Sequence, residues 1–223
     1  MDGLSINFKI NYSKTSHRFL LVIAWTSVLY VGYILTNHFQ LFPPTTLTLS
    51  SLDNAIPFLS WTVIPYLILI SGMYLFAFID NQDDFVGALV ALTIAVSINY
   101  IVYIIYPTTY PRPPTPVASG VDYDLYRWLI SFDKPTNCLP SGHITTPAIG
   151  CWYLGLHHKK FRPYLFTVFF VLSLTTLTTK QHYIVDIPAG LLTAAIGIIV
   201  AGWLVRYSPF RLSWVRNYWN TSK

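Results

Sequence analysis

The feature that most constrains this chain is a series of long apolar stretches that lack charged side chains. Residues 54–79 and 85–111 contain no Asp, Glu, Lys or Arg. We interpret six stretches as membrane-crossing helices, since roughly 17–25 apolar residues in a helix suffice to cross a bilayer. The six predicted helices cover about 19–36, 54–79, 85–106, 144–156, 164–179 and 184–205.

The composition supports a membrane protein and argues against a soluble one. Only 10% of the residues are charged, whereas soluble domains carry about 25%. Glu is absent from the sequence, and the mean hydropathy is +0.48. The net charge of +5 could indicate a nucleic-acid partner. The basic residues flank the apolar segments instead, and no nucleic-acid-binding motif is present, so we expect the lipid bilayer as partner and no nucleic acid.

The distribution of basic residues predicts the orientation of the helices. With both termini in the cytoplasm, ten of the fourteen Lys and Arg residues lie on the cytoplasmic side, as the positive-inside rule requires. The loop 107–140 then faces outward. The first apolar run could belong to a signal peptide, but it is long enough to span the bilayer and no small-residue cleavage site follows it. The ten cytoplasmic basic residues are Lys9, Lys14, Arg18, Lys159, Lys160, Arg162, Arg206, Arg211, Arg216 and Lys223, and the four outer ones are Arg112, Arg127, Lys134 and Lys180.

The fold class that follows is all-α. We predict a single membrane-embedded domain over residues 1–223, built as a bundle of six transmembrane helices with a long outward loop between helices 3 and 4. Prolines exclude a continuous helix from that loop, but a short surface helix over about 124–132 fits its sequence. Cys138 and Cys151 are interpreted as free thiols. The sequence does not indicate an oligomeric state.

Three prolines inside or beside the predicted helices bear on where those helices begin. Pro57 is expected near the start of the second helix, and Pro65 should kink this helix or mark its true beginning. Pro147 fits only a first turn or a kink, which predicts a late start for the fourth helix.

Two clusters of polar residues lie at the predicted outer ends of helices. Ser141, Gly142 and His143 lie where the fourth helix begins, and a helix N-terminus offers free N–H groups to an anion. Gly142 lets the backbone approach a bound group closely, and Ser141 can cap the helix or donate its hydroxyl. These residue types at this position indicate an anion-binding site.

The second cluster contains His182 and Asp186, which are four residues apart and share one face if that turn is helical. A carboxylate on one ring nitrogen of a histidine fixes its tautomer and makes the other nitrogen a better nucleophile or base. Arg112 and Lys180 supply cations on the same side of the membrane. Combined with His143 and a helix N-terminus, this set suits phosphoryl transfer.

These residues also resemble the type 2 phosphatidic acid phosphatase superfamily of membrane enzymes. That family has three motifs, namely Lys-x6-Arg-Pro, Pro-Ser-Gly-His and Ser-Arg-x5-His-x3-Asp. The second motif is intact as Pro140–His143, Arg112 and Pro113 match the end of the first, and His182 and Asp186 match the third.

The resemblance implies a role for each matching residue and no metal or cofactor. His182 would attack phosphorus to form a phosphohistidine, Asp186 would orient it, and His143 would protonate the departing oxygen. The residues that would hold the phosphate are Arg112, Ser141 and Gly142. The implied substrate is a membrane lipid phosphate, either a monophosphate or a pyrophosphate.

Two departures from the family pattern affect the choice of acceptor. Ile105 occupies the lysine position of the first motif, and Thr175 and Thr176 occupy the Ser-Arg positions of the third. Lys180 is the candidate replacement for one lost cation, or else a lysine that extends to the membrane interface. The run from Lys180 to Asp186 is similar to the branch with inositolphosphotransferases and sphingomyelin synthases, which implies transfer to a lipid hydroxyl.

The sequence therefore favours a lipid phosphate phosphatase whose active site faces away from the cytoplasm. The main alternative is a lipid phosphotransferase that passes a phosphoryl-headgroup to a lipid hydroxyl. A non-enzymatic lipid carrier or scramblase, structural histidines, and a metal site built from His143, His182 and Asp186 are lower-ranked alternatives.

Overall fold

The computed structural model describes residues 14–112 and 117–207, with side chains as far as Val205. Most of this part of the chain is helical. The α-helices are α1 Thr15–His38, α2 Ser51–Ala55, α3 Val63–Ile70, α4 Gln82–Ile105, α5 Val121–Phe132, α6 Gly142–His157, α7 Arg162–Thr178 and α8 Asp186–Tyr207. Two-residue strands β1 (Thr45–Thr46) and β2 (Thr108–Thr109) pair in parallel, with Thr45 opposite Thr108.

Four helical segments in the described residues are long and apolar enough to cross a membrane. They are Thr15–His38, Ser60–Phe78, Gln82–Ile105 and Asp186–Val205. Helices α6 and α7 contain 16 and 17 residues and are shorter than these four. The prediction of a helical membrane protein is thus confirmed for four candidate spans, and a crossing by all six helices stays a prediction.

Proline positions explain how the second candidate span is built. A 3₁₀ turn over Ser60–Thr62 leads into α3, and a longer 3₁₀ segment over Ser71–Phe78 follows it. Pro65 lies in the first turn of α3, where a missing N–H leaves no hydrogen bond unmade. Pro65 therefore marks the beginning of the α-helix, which was one of the two alternatives, whereas Pro57 precedes it.

The late start predicted for the fourth helix is wrong. Helix α6 begins at Gly142 and contains Pro147. The proline packs closely against the 3₁₀ segment, since a Cβ on Gly72 would lie 2.8 Å from the Cβ of Pro147.

The core of the bundle places α4, α6 and α8 against one another. A Cβ on Gly197 of α8 would lie only 2.5 Å from the carbonyl oxygen of Ala91 in α4, so the glycine permits this close approach. The Thr145 hydroxyl of α6 accepts from Nδ2 of Asn99 at 3.2 Å and lies 3.1 Å from the carbonyl oxygen of Gly190. This buried hydroxyl ties three helices together near the start of α6.

Side-chain contacts define the two ends of the bundle. At one end Arg18 pairs with Asp80 at 2.6 Å, and His157 pairs with Asp84. At the other end, Nδ2 of Asn37 donates to the Thr136 hydroxyl at 2.9 Å. The segment between α4 and α6 therefore lies at the second end. Lys9, Arg211, Arg216, Lys223 and the side chain of Arg206 lie outside the described residues.

The segment between α4 and α6 contains the short helix that the sequence suggested. Helix α5 covers Val121–Phe132, so it begins three residues before the predicted position. Cys138 follows it and is a buried free thiol, as is Cys151 in α6.

Candidate active site

His182 and Asp186 meet at the start of α8. Nδ1 of His182 lies 3.1 Å from Oδ2 of Asp186, and the same oxygen accepts from the N–H of Tyr183 at 2.9 Å. His182 is 3% exposed and Asp186 is fully buried. Residues 182–185 are not helical, and α8 begins only at Asp186. This segment is therefore not the helical turn that would place both residues on one face, but the carboxylate still reaches the imidazole.

His143 lies in the first turn of α6 and completes the contact between the two clusters. Its Nδ1 lies 2.9 Å from Nε2 of His182, and the two ring centroids are 5.2 Å apart. The structure thus brings together two histidines that are 39 positions apart in the chain.

Tyr66 of α3 is a site residue that the sequence analysis missed. Its buried hydroxyl lies 3.2 Å from Nε2 of His143. One assignment of protons satisfies the whole row: Tyr66 donates to His143, Nδ1–H of His143 donates to His182, and Nδ1–H of His182 donates to Asp186. Since Tyr66 is one of sixteen tyrosines in an apolar chain, no sequence signal separates it from the others.

Arg112 lies at the edge of this site with its side chain 12% exposed. Its guanidinium donates to the main-chain oxygen of Asp133 and, at 2.9 Å, to Oε1 of Gln181. It also lies 3.9 Å from the Asp133 carboxylate, which accepts from the hydroxyl of Tyr33. Burial raises the pKa of Asp133, against the opposing effects of Tyr33 and Arg112. Part of the positive charge of Arg112 is therefore already shared with an acidic group.

Ser141 precedes α6 at the N-cap position, but its side chain does not cap the helix. The hydroxyl oxygen is buried and has no hydrogen-bond partner. The N–H of Ser141 donates to the main-chain oxygen of Asp186 at 3.3 Å, which links the starts of α6 and α8. Gly142 follows, and a Cβ at this position would lie 3.6 Å from the hydroxyl of Tyr103.

Lys180 is engaged with main-chain oxygens near α2. Its ammonium donates to the carbonyls of Asp53, at 3.1 Å, and Ile56. Burial lowers the pKa of Lys180, although the charge of Asp53 acts in the opposite direction. Its contact with phosphate stays a prediction, and these two bonds leave one of the three ammonium N–H donors for it.

Asp53 is a second residue that the sequence analysis did not associate with the site. One carboxylate oxygen accepts from the N–H of Ile184 at 2.9 Å, and the other caps α2 through Ser50. Burial alone would raise the pKa of Asp53, but the hydrogen bonds from Ile184 and Ser50 outweigh it and lower the pKa. Asp53 thereby fixes the link that carries His182.

Uncharged side chains occupy the positions at which this chain departs from the family pattern. Ile105 is 64% exposed at the end of α4, and Thr176 is fully buried in α7. The main-chain oxygen of Thr176 accepts from the N–H groups of Gln181 and His182, both at 3.0 Å. Among the described residues, no group of three or more His, Cys, Asp or Glu side chains is arranged to hold a metal ion.

A comparison with family models identifies the class of this protein. The model described as the PAP2 superfamily matches residues 59–200, which is more than half of the chain. The chain therefore belongs to the PAP2 superfamily, as the motifs indicated. Together with the four apolar helices, this makes it a membrane enzyme of the phosphatase or phosphotransferase type. No curated protein and no solved structure matches the chain.

Proposed function

We propose that this protein hydrolyses a phosphomonoester or pyrophosphate of a membrane lipid through a phosphohistidine at His182. The observation that carries the proposal is the continuous row of hydrogen bonds from Asp186 through His182 to His143. An imidazole whose Nδ1–H is held by a buried carboxylate has its lone pair at Nε2, the atom of His182 that accepts from His143 in the structure.

The reaction takes place in two balanced steps. Nε2 of His182 forms a bond to phosphorus while the bond from phosphorus to the lipid oxygen breaks, and that oxygen takes a proton from His143. Water then attacks the phosphohistidine, gives its proton back to His143, and releases phosphate as the N–P bond breaks. The substrate-bound form has a protonated His143, in contrast to the neutral His143 of the substrate-free hydrogen-bond assignment, and His143 regains this proton at the end of each cycle.

The contact between the two imidazoles must open when substrate binds. An in-line displacement needs the attacking nitrogen and the leaving oxygen on opposite sides of phosphorus. The 2.9 Å separation between His143 and His182 leaves no room for a phosphoryl group. Substrate binding would replace this hydrogen bond with one from His143 to the leaving oxygen.

The phosphate would be held by Arg112, Ser141 and Gly142. The buried Ser141 hydroxyl has no partner in the structure and is free to donate to a phosphate oxygen. The first turn of α6 adds the partial positive charge of a helix N-terminus.

The active site would face away from the cytoplasm, with six membrane crossings and both termini inside. The α6–α7 turn with Lys159, Lys160 and Arg162 supports this orientation, because it follows His157 at the opposite end of the bundle from the histidine pair. Cytoplasmic ends of membrane helices are enriched in such residues.

The test is phosphate release by the detergent-solubilised full chain from a panel of lipid monophosphates and pyrophosphates. We expect His182→Ala to abolish release and ³²P labelling of the protein, while His158→Ala, an exposed histidine, leaves both unchanged. Full activity of the His182→Ala variant would refute the proposed nucleophile.

The small amount of free positive charge at the site favours a second candidate function, transfer of a phosphoryl-headgroup to a lipid hydroxyl. Ile105 and Thr176 replace two family cations, Lys180 is bonded to carbonyls, and Arg112 is shared with Asp133. A phosphodiester carries one negative charge and needs less compensation than a doubly charged monoester.

An acceptor lipid distinguishes the two candidates. Labelled headgroup that appears on the acceptor with little free phosphate would establish transfer. A carrier or scramblase without enzymatic activity is ranked third, and lipid movement that survives both His143→Ala and His182→Ala would favour it.

A further inference from the structure

Gln181 is a buried polar residue whose side-chain amide forms a hydrogen bond through its oxygen but not through its nitrogen. It lies directly before His182 and is 3% exposed. Its Oε1 accepts from Arg112 at 2.9 Å, whereas its Nε2 is buried and makes no hydrogen bond. The guanidinium only donates, so the amide end that faces Arg112 must be the oxygen. The free N–H group is therefore fixed in place.

Buried donors without partners are rare, and each needs an explanation. Two further donors of the proposed phosphate site, Nε of Arg112 and Oγ of Ser141, are also buried without partners. Gln181 and Arg112 are bonded to each other, and Ser141 is bonded through its N–H to Asp186, the partner of His182. The unused donors thus belong to the groups that surround the proposed nucleophile.

We infer that Gln181 is a phosphate-binding residue, with Oε1 orienting Arg112 and Nε2–H donating to a nonbridging phosphoryl oxygen. The inference rests on the proposed function, which places phosphate beside His182. It assigns a neutral donor to a site that has lost two family cations at Ile105 and Thr176. Hydrogen bonds from fixed donors stabilise the charge that spreads over phosphoryl oxygens.

A structural role for Gln181 would require only its oxygen. Gln181→Glu keeps an oxygen for Arg112 and removes the N–H donor, so it separates the two roles. Gln181→Met has a similar length, is neutral, and removes both functions, which distinguishes loss of the donor from simple repulsion by a new carboxylate. Gln40, whose amide donates to the carbonyl of Asn37 at 2.7 Å, provides the matched control Gln40→Glu.

The experiment measures the affinity of the full detergent-solubilised chain for inorganic phosphate by calorimetry, with thermal melting as the check on folding. We expect at least tenfold weaker binding by Gln181→Glu and Gln181→Met, unchanged binding by Gln40→Glu, and an unchanged melting temperature for Gln181→Glu. Wild-type affinity in Gln181→Glu or Gln181→Met would overturn the inference, as would the absence of phosphate binding by the wild type.

Turnover distinguishes failure of this inference from failure of the proposed function. Weaker phosphate binding by the Gln181 variants, combined with lipid phosphate hydrolysis that does not depend on His182, would refute the proposed function and leave Gln181 as a phosphate ligand. Hydrolysis that depends on His182, with an unchanged KM in Gln181→Glu, would refute the role of Gln181 alone.

Discussion

The substitution Gly190→Ala tests whether the contact between α6 and α8 sets the geometry of the site. A Cβ on Gly190 would lie 2.6 Å from the carbonyl oxygen of Ser141 and 3.1 Å from the Cβ of Ile144. Real Cβ contacts below 3.0 Å essentially do not occur, so the start of α6 must move by at least 0.4 Å relative to α8. The opposing atom belongs to the backbone and also accepts from the hydroxyl of Thr145, so it cannot simply rotate away.

The expected effect on activity follows from this displacement. His143 is carried by α6 and Asp186 by α8, so the shift changes the distance between the proposed acid and the oriented nucleophile. A misplacement of about 1 Å can cost about 100-fold in rate. Scaled to the minimum shift of 0.4 Å, this dependence predicts a roughly five- to tenfold reduction in kcat/KM, which corresponds to about 1 kcal/mol of activation free energy.

The assay is hydrolysis of the best lipid phosphate of the panel, with melting temperature measured in the same detergent. Gly202→Ala is the matched control, because it is the same substitution in α8 and no atom lies within 4 Å of the added Cβ. We expect wild-type kcat/KM for Gly202→Ala and a gain in helix stability of about 0.5–1 kcal/mol. Wild-type kcat/KM in a folded Gly190→Ala variant would show that this contact does not set the catalytic geometry.

Three further predictions concern residues around the histidine pair. Tyr66→Phe removes the hydroxyl beside Nε2 of His143, and interhelical hydrogen bonds of this kind contribute about 0.6 to 1.7 kcal/mol. We therefore expect a roughly three- to twentyfold loss of kcat and an altered pH profile, and an unchanged profile would contradict this role. The pH dependence of kcat/KM should be bell-shaped, because His182 must be neutral while His143 is protonated, and a flat profile between about pH 5 and 9 would argue against the pair. Hydrogen bonds lower the pKa of Asp53 below its ordinary value of 3.8. The ionised Asp53 carboxylate should therefore stabilise the fold fully above pH 3.8, and this stabilisation should be lost as the pH falls through the lowered pKa. Hydrogen exchange of residues 179–185 should report that loss in the wild type, whereas Asp53→Asn should remove this acid dependence.

Local sequence was sufficient for the class of fold and for part of the site. Uncharged apolar stretches can be stable only where they leave water, so they predicted the helices without any knowledge of their neighbours. The intact motif at Pro140–His143 and the spacing of His182 and Asp186 identified the family because those residues are close in sequence as well as in function. The match to the PAP2 superfamily confirms that identification.

The limits of the sequence are clearest for contacts between distant residues. Tyr66 reaches His143 across 77 positions, and Arg112 reaches Gln181 across 69. Hydrophobic patterns indicate which side chains are buried, but they do not indicate which buried partner each one meets. Lys180 demonstrates the same limit, because its charge suggested a phosphate ligand, but no sequence pattern indicated that it also donates to two carbonyl oxygens.

The sequence by itself determined a helical membrane protein of the PAP2 superfamily, and it predicted an anion-binding helix start and a histidine oriented by a carboxylate. Only the tertiary structure decided that the two histidines are in direct contact and that the link before α8 is held in a non-helical conformation by Asp53 and Thr176. The physical reason is that hydrogen bonds from main-chain N–H groups to distant acceptors fixed this link, and helical periodicity contains no information about such acceptors.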